Sequence, residues 1–556
     1  MTQSGVRGEP TRPRVQQAQE LGRDDSPRDD AAPDGGGDSG DGGGAGGRRR
    51  GGRRRPRGKR GILRWSAITL SVLILGTAGA GYVYYWHLNN NIDKGERSSG
   101  DSDAKKAEPN AAGQTPLNIL LIGSDSRNSE ENVELGGSRD QMGSKPLGDV
   151  QMLIHLSAGR KHASVVSVPR DTRVDIPECE DPETGKTYPA TNDIINASLA
   201  RGGAGCTLAT WENLTGAYID HWMTIDFAGV VKMADAIGGV EVCVEHNVWD
   251  RALPGTPGGS GLKLKAGKHK VKGKQALQWL RTRHAFESDL GRAKAQHMYM
   301  NSMIRTLKKQ NVFTDTGRLM SLAEAATDSL KVSEEIGQVD ELYGLGMQLR
   351  TVPTDRITMT TMPNDVDPQN PNHLVPKGAD AEKVWSMIRD DVPFDSKGKD
   401  AKKKPAKEQE PVSDDPAAED GEIGIVVQNG TRSDTLAPAG GRANAVSQAL
   451  VEKGFSRATA DGTVALAEPK TVVRYPSAEL EGDAQRVAKS LGIPLSSVKR
   501  TTDVSAVTLV VGADWREGTA YPKQSKPEAG DVPESADALN GSDSDKCMPV
   551  YEPYRW

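Results

Sequence analysis

The 556-residue chain has only five Phe, and aromatic residues of all kinds make up 4% of it. So few large side chains cannot fill cores in proportion to that length, and 62 Gly with 32 Pro mark long unfolded stretches. Cysteine is scarce too. Its four residues fit an oxidising compartment without dominating the fold, and no Cys/His set has zinc spacing. Also missing are a Walker loop, a G-x-S-x-G elbow and an H-E-x-x-H helix. The usual signatures of nucleotide hydrolysis, serine hydrolysis and zinc proteolysis are therefore absent.

The net charge of −5 hides a strong asymmetry: ten Lys or Arg fall between Arg48 and Arg64, and the remainder is acidic. Residues 1–61 lack apolar periodicity, which predicts a disordered basic tail. Residues 62–88 are mostly apolar, with Trp65 near one end and Tyr82, Tyr84, Tyr85 and Trp86 at the other. A helix of that length reaches roughly 35 Å and crosses a bilayer core of ~30 Å, with aromatic belts at its interfaces. The basic run on its N-terminal side predicts a single-pass protein with a cytoplasmic N-terminus and extracytoplasmic domains. Ala78-Gly-Ala80 mimics a cleavage site, but the long leader and overlong apolar stretch favour a retained anchor. Topology and lipid headgroups account for the basic run more economically than nucleic acid does, so no nucleic-acid partner is expected.

Residues 89–115 read as a polar linker. The first globular pattern covers 116–395, where Leu117–Ile122, Val150–Leu156 and Ala163–Val168 are apolar strand runs. Helical patterns follow at 193–200, 208–214 and 227–237, the last closed by Gly238-Gly239, and again from Asp289 to about Lys309. Strands alternating with helices over this span predict one layered α/β domain. A charged linker, 396–421, precedes a compact α+β module at 422–515, and 516–556 reads as a disordered tail. Cys179 and Cys206 flank a turn-rich insertion, and a bridge there would contribute roughly 3–4 kcal/mol. Cys243, in an apolar strand pattern, reads as a buried thiol, with Cys547 in the tail as an alternative partner.

The densest chemistry lies between Arg281 and Gln296, where four cations, two carboxylates and a carboxamide fall within sixteen residues. Asp289 reads as the N-cap of a helix that carries Arg292 and Gln296 on one face, and Arg281 and Arg283 precede it. Planar guanidiniums converging near a helix start suit phosphate oxygens. Asp125, Asp149 and Asp171 stand at strand ends, as ligand-binding groups do in α/β folds. Separated carboxylates of this kind suit Mg²⁺ bridging phosphate groups, with Mn²⁺ as an alternative. Outside a membrane the phosphate must arrive on the substrate, and a lipid-linked phosphate is the most accessible form.

Residues 118–127 (NILLIGSDSR), 167–177 (SVPRDTRVDIP), 195–197 (INA), 236–240 (AIGGV) and the run from Gln275 through Arg281-Thr-Arg-His284 and Asp289-Leu-Gly-Arg292 to Gln296 resemble the LytR-CpsA-Psr family. The 422–514 module resembles the C-terminal domain that often accompanies it. The resemblance implies a three-layer α-β-α domain and a cell-envelope phosphotransferase. Such an enzyme moves a glycopolymer from a polyprenyl diphosphate to peptidoglycan, with diphosphate hydrolysis as a side activity. It implies that Asp125 and Asp149 hold Mg²⁺ and that Arg127, Arg170, Arg281, Arg283, Arg292 and Gln296 contact the diphosphate. Asp171 would orient Arg170, and Asp289 would orient Arg292 or activate the acceptor hydroxyl. Val230, Met233, Ala234 and Ile237 are candidates for a polyprenyl groove. Two departures stand out. Leu147 and Ala295 occupy positions where the family usually has Arg, which leaves a non-catalytic polyprenyl-phosphate-binding scaffold as the alternative. Asp140 is a rival metal ligand in the long loop before Asp149.

Overall fold

The computed structural model describes residues 58–110, 112–125, 132, 135, 145–309, 315–397, 415–432, 437–465, 467–468, 470–501, 503–522 and 527–556. The chain divides into two units, 1–74 and 75–556. Helix α1 (Gly58–Asn91) contains a stretch, Leu63–Asn91, long and apolar enough to cross a membrane. The described residues of the first unit all belong to that helix, and every described strand lies in the second unit.

In chain order the second unit continues with β1 (Asp93–Gly95), β2 (Leu117–Ser124), β3 (Gly148–Leu156) and β4 (Ala163–Val168). Helix α2 (Ser198–Thr215), β5 (His221–Ile225), α3 (Phe227–Ala236) and the hairpin of β6 (Val240–Val244) and β7 (Gly267–Val271) come next. The chain then forms α4 (Gly273–Arg281), α5 (Asp289–Lys309), α6 (Thr316–Thr327), β8 (Leu330–Ser333), α7 (Val339–Thr351), β9 (Ile357–Thr361) and α8 (Gly378–Arg389). The main sheet is mixed, with β2 between parallel β5 and antiparallel β3, and β4 parallel to β9.

Its central strands read as unbroken apolar runs because both faces are covered. On one face Leu120, Ile122, Leu153 and Val166 share a core with Trp211 of α2 and Trp385 of α8. Those two indoles meet edge-on, centroids 6.2 Å apart. Buried Gln151 accepts from Trp211 Nε1 at 2.6 Å and donates to the Ile195 carbonyl, so neither this carboxamide nor the indole N–H is stranded under the helix. On the other face Met152, Val165 and Met359 pack with Met300 and Ile304 of α5 and Leu349 of α7. The result is three layers, α-β-α.

Several expectations are corrected. The stretch 89–115 is not simply a spacer: Ile92 is buried against Val332 and Ile336, β1 pairs with β8, and Arg97 pairs with buried Glu212. Residues 191–194 form a strand against 173–176, and α2 starts only at Ser198, with Gly202 and Gly203 breaking its regularity. A φ of 68° at Gly203 is one that side-chain-bearing residues avoid. The Cys179–Cys206 bridge is present as expected, but Cys243 is no thiol: it is bonded to Cys547, its alternative partner.

The small module is a five-stranded sheet with two helices. Its strands are β10 (Ile425–Asn429), β11 (Ala458–Ala465), β12 (Val472–Tyr475), β13 (Val498–Arg500) and β14 (Val507–Val511), in order β11-β10-β14-β12-β13. Helices α9 (Arg442–Glu452) and α10 (Glu481–Leu491) complete it.

The 516–556 stretch, expected to be disordered, returns to the large domain over its described residues 527–556. Strand β15 (Leu539–Asn540) pairs antiparallel with β9 at the sheet edge. Beyond it Met548 exchanges backbone bonds with Cys243 and Glu245, and Met548, Val550 and Tyr554 enter the core beside Trp279 and Phe286. A polar composition concealed these few anchors.

Candidate functional site

A β-bulge shapes the edge of the sheet that carries the charged groups. The β2–β3 ladder runs Gly123↔Val150 and then Ser124↔Gly148, which leaves Asp149 as an extra residue on β3. Bulges re-aim a side chain, and Asp149 lines a cavity beneath the sheet. One step further, Asp125 bonds Leu147 twice: its N–H donates to the Leu147 carbonyl at 3.1 Å, and its Oδ1 accepts from the Leu147 N–H at 2.7 Å. The Leu147 backbone, not its side chain, therefore fixes this turn. Asp125 follows Ser124, which lines the cavity, and does not line it itself. Arg127 and Asp140 lie outside the described residues.

Arg170, just past β4, donates to Asp149 Oδ1 at 3.0 Å through Nη1 and to Asp171 Oδ2 at 3.3 Å through Nε. From α5, Arg292 reaches Asp289 at 2.7 Å, and Arg283 stands 3.7 Å from the other oxygen of that carboxylate. Asp289 is not the cap expected for this helix. Ser288 is: its Oγ accepts from the Gly291 N–H at 3.2 Å. The hydroxyl thereby leaves Asp289, in the first turn, to the two guanidiniums.

These groups feel one another. Burial opposes the charge on Arg170, but Asp149, Asp171 and Asp289 outweigh it and hold that pKa above the ordinary arginine value. Burial pulls the Arg292 pKa down, Asp289 and Asp149 resist, and Arg170 and Arg283 add to the fall. Arg292, its side chain 13% exposed, is a desolvated cation poorly compensated by its surroundings. Such a site gains from an arriving anion.

Arg281, at the end of α4, donates to the Leu135 carbonyl and lies 4.7 Å from the Phe227 ring centroid. Gln296 is buried and donates to the Leu280 carbonyl, tying α5 to α4. Arg170, Arg281, Arg283, Arg292 and Gln296 all line the cavity with Asp149, whereas Asp171 and Asp289 stand behind the arginines they hold. The departures also have physical reasons. Ala295 is fully buried in the core with Trp279, which donates to its carbonyl, and neighbouring Lys294 pairs with Asp537 of the tail at 3.0 Å.

Away from these cations the cavity, about 680 Å³, is walled mainly by apolar side chains, with Lys308 and Arg350 also on its lining. Val230, Met233 and Ala234 of α3 and Ile237 just past its end line it, together with side chains of the sheet and α5. Sequence reasoning missed Asp226, Asp250, Ser260 and His284, which line its polar end. Asp226 caps α3 and accepts from Asn132 at 2.7 Å. Two of these had a legible signal: His284 stands next to Arg283 in the motif, and Asp226 lies in Ile225-Asp-Phe, a stretch that also resembles the family. Among the described residues no group of three or more His, Cys, Asp or Glu is placed to hold a metal. Asp125 and Asp149, neighbours on one sheet edge, are the two carboxylates that could share one with substrate oxygens.

Residues 422–515 match a family described as LytR cell envelope-related transcriptional attenuator. The chain is 28% identical over 317 residues to the cell wall biosynthesis protein LcpA of Corynebacterium glutamicum, covering 53% of this chain and 58% of that one. It is 28% identical over 261 residues to the polyisoprenyl-teichoic acid–peptidoglycan teichoic acid transferase TagU of Enterococcus faecalis, covering 47% and 75%. A solved structure, TagV of Bacillus subtilis, aligns with a TM-score of 0.38 at 22% identity, covering 50% of this chain and 97% of that one. Residues 82–390, more than half of the chain and all of the segments bearing the cavity arginines, match the LytR_cpsA_psr family, and the chain belongs to that family.

Proposed function

We propose that the protein transfers a glycopolymer from a polyprenyl diphosphate carrier to peptidoglycan, releasing polyprenyl phosphate. One observation carries this reading: Arg170, Arg281, Arg283 and Arg292 line the same cavity, of about 680 Å³, as a long run of apolar side chains. A diphosphate with a long hydrocarbon tail matches both halves. The relatives named as transferring polyisoprenyl-linked teichoic acid to peptidoglycan support the same class.

In this reading Arg170, Arg281, Arg283 and Arg292 grip the diphosphate, with Arg127 as a further contact, and Gln296 donates from the cavity wall. Asp171 and Asp289 keep Arg170 and Arg292 in place, so little reorganisation remains when charge shifts toward the leaving oxygen. A sugar hydroxyl of the acceptor attacks the carrier-distal phosphorus. The new P–O bond forms as the bond to the bridging oxygen breaks, and polyprenyl phosphate departs with the electron pair. The hydroxyl proton leaves late in so loose a transition state, to water, since Asp289 is held behind Arg292 and does not line the cavity. Asp125 and Asp149 would hold Mg²⁺, which when bound neutralises phosphate charge.

The helix 58–91 anchors the protein, and the basic run before it places the N-terminus in the cytoplasm with the cavity outside. The test uses the full-length protein in detergent with a short-chain polyprenyl diphosphate glycan, peptidoglycan fragments and Mg²⁺. Formation of a glycan–peptidoglycan phosphodiester with release of polyprenyl phosphate is expected. Donor binding without turnover at any divalent-metal concentration would replace the enzyme with a scaffold, and release without transfer would make it a hydrolase.

A further inference from the structure

Outside α1, eight large apolar side chains are exposed among the described residues; two of them, Trp249 and Trp556, flank the Lys263 ammonium, and a third, Tyr551, precedes Trp556 on the same short segment. The Lys263 ammonium lies 4.4 Å from the Trp249 ring centroid and 4.6 Å from that of Trp556. Asn247 donates to the Trp556 carbonyl, and Trp556 Nε1 donates to the Val248 carbonyl. Tyr551 stands 6.3 Å from Tyr554, which stacks on His284 at 6.1 Å, and His284 lines the polar end of the cavity. The Tyr551 N–H donates to the Ala285 carbonyl, and Cys243–Cys547 pins the same segment a few residues earlier. An aromatic-poor chain thus uses a disulfide and a run of backbone bonds to hold rings in the open, alongside the polar end of the cavity. Neither matched family stretch, 82–390 or 422–515, includes this segment.

We infer that Trp249, Tyr551 and Trp556, with Lys263 and Arg251 between and beside them, form a binding platform for the glycan strand of the peptidoglycan acceptor. The inference rests on the transferase reading and deepens it. Exposed indole and phenol rings offer flat apolar faces that pack against the C–H faces of sugar rings, while their polar tips and nearby cations bond hydroxyls and carboxylates. Arg251 lies 4.8 Å from the Trp249 ring centroid, which supplies such a cation at the platform's edge.

A membrane surface would also accept aromatic and basic side chains. Against it stands the position of the patch. The last turns of α1 meet α6 and α7, where His87 stands 3.4 Å from Glu324 and Asn89 accepts from the Val339 N–H. Those helices, through Leu322 and Leu345, wall the apolar part of the cavity. The aromatic patch adjoins the other, polar part, where an acceptor hydroxyl must approach.

The test measures binding of soluble N-acetylglucosamine oligomers and of peptidoglycan fragments to the full-length protein in detergent, beside binding of a polyprenyl diphosphate glycan. Trp249→Ala with Tyr551→Ala should weaken oligomer and peptidoglycan binding by roughly tenfold per ring lost. The donor should bind as before, and Trp249→Phe with Tyr551→Phe should restore most of the loss. In turnover assays KM for the acceptor should rise more than kcat falls. Unchanged oligomer affinity, a loss confined to the donor glycan, or a loss confined to lipid vesicles would each overturn the platform. Wild-type oligomer binding without any transfer would overturn the transferase reading and leave the platform standing, so the two fail separately.

Discussion

Asp149 stands 3.0 Å from Arg170 because β3 carries one residue more than β2 at the bulge, turning a strand-end carboxylate into the cavity. On the proposed mechanism Asp149 does two jobs: it fixes the Arg170 guanidinium and, with Asp125, would hold Mg²⁺. Asp149→Ala should lower kcat/KM by about 10²–10³ with a nearly unchanged melting temperature, since its side chain is 28% exposed. Arg170→Lys keeps the charge and loses the fork, and should cost about 1.5–3 kcal/mol of transition-state binding. Steady-state kinetics with circular dichroism as the folding control decide it.

The apolar half of the cavity makes a chain-length prediction. Met303→Trp narrows the space between α5 and α3, and should raise KM for a long polyprenyl carrier at least tenfold. A soluble diphosphate with a very short chain should bind the variant as it binds the wild type. Equal losses for both carriers would show that the tail does not enter the cavity.

His297 is fully buried, with Nε2 2.9 Å from Ser167 Oγ. Burial pushes its pKa down to about 4; Asp537 opposes this and Lys294 adds to it. Its folded-state pKa lies below the unfolded value of about 6.5, so between those two limits only the unfolded chain takes up the proton. Stability is complete above about pH 6.5 and falls as pH drops toward 4, by about 3 kcal/mol over the interval. Melting curves of wild type and His297→Gln across that interval should differ in slope, the variant losing less.

Ala295→Arg restores the residue the family usually carries but places a charge at a position with no exposure, in contact with the core around Trp279. A loss of more than about 3 kcal/mol in denaturant unfolding is expected, with no gain in diphosphate affinity. A stable, tighter-binding variant would show that the position can swing toward the cavity.

Cys243 and Cys547 are 304 positions apart in sequence, so their bond closes a very long loop. Cys243→Ser should cost about 3–5 kcal/mol, read as a lower melting temperature that reducing agent no longer changes by that route. The same variant tests whether the aromatic segment beyond Cys547 stays seated.

Some features were legible because short-range chemistry decides them. Ala163–Val168 is all apolar or small and β-rich, and appears as β4 with those bounds. The α5 helix likewise begins at Asp289 and ends at Lys309, and its Arg292 and Gln296 reach the same cavity. The bulge was invisible, since a ladder count needs the partner strand and no local signal marks Asp149 as the odd residue. Ser288 as the cap was a near miss: Ser and Asp both cap well, and only the observed bond to Gly291 chooses between them. The tail hid for the opposite reason to the strands. Its few apolar anchors, Met548, Val550 and Tyr554, sit in polar surroundings and meet partners hundreds of residues away.

Strand β15 pairs with β9 across the whole intervening small module, with Asn540 bonding Thr358 at a separation of 182 residues. The module is thus held at both of its ends by one parent body, as a loop is rather than as a pendant. A body tied at both ends cannot swing away from the domain that carries the arginines, and Lys470 of the module, 2.8 Å from Glu382 of α8, adds a third tie.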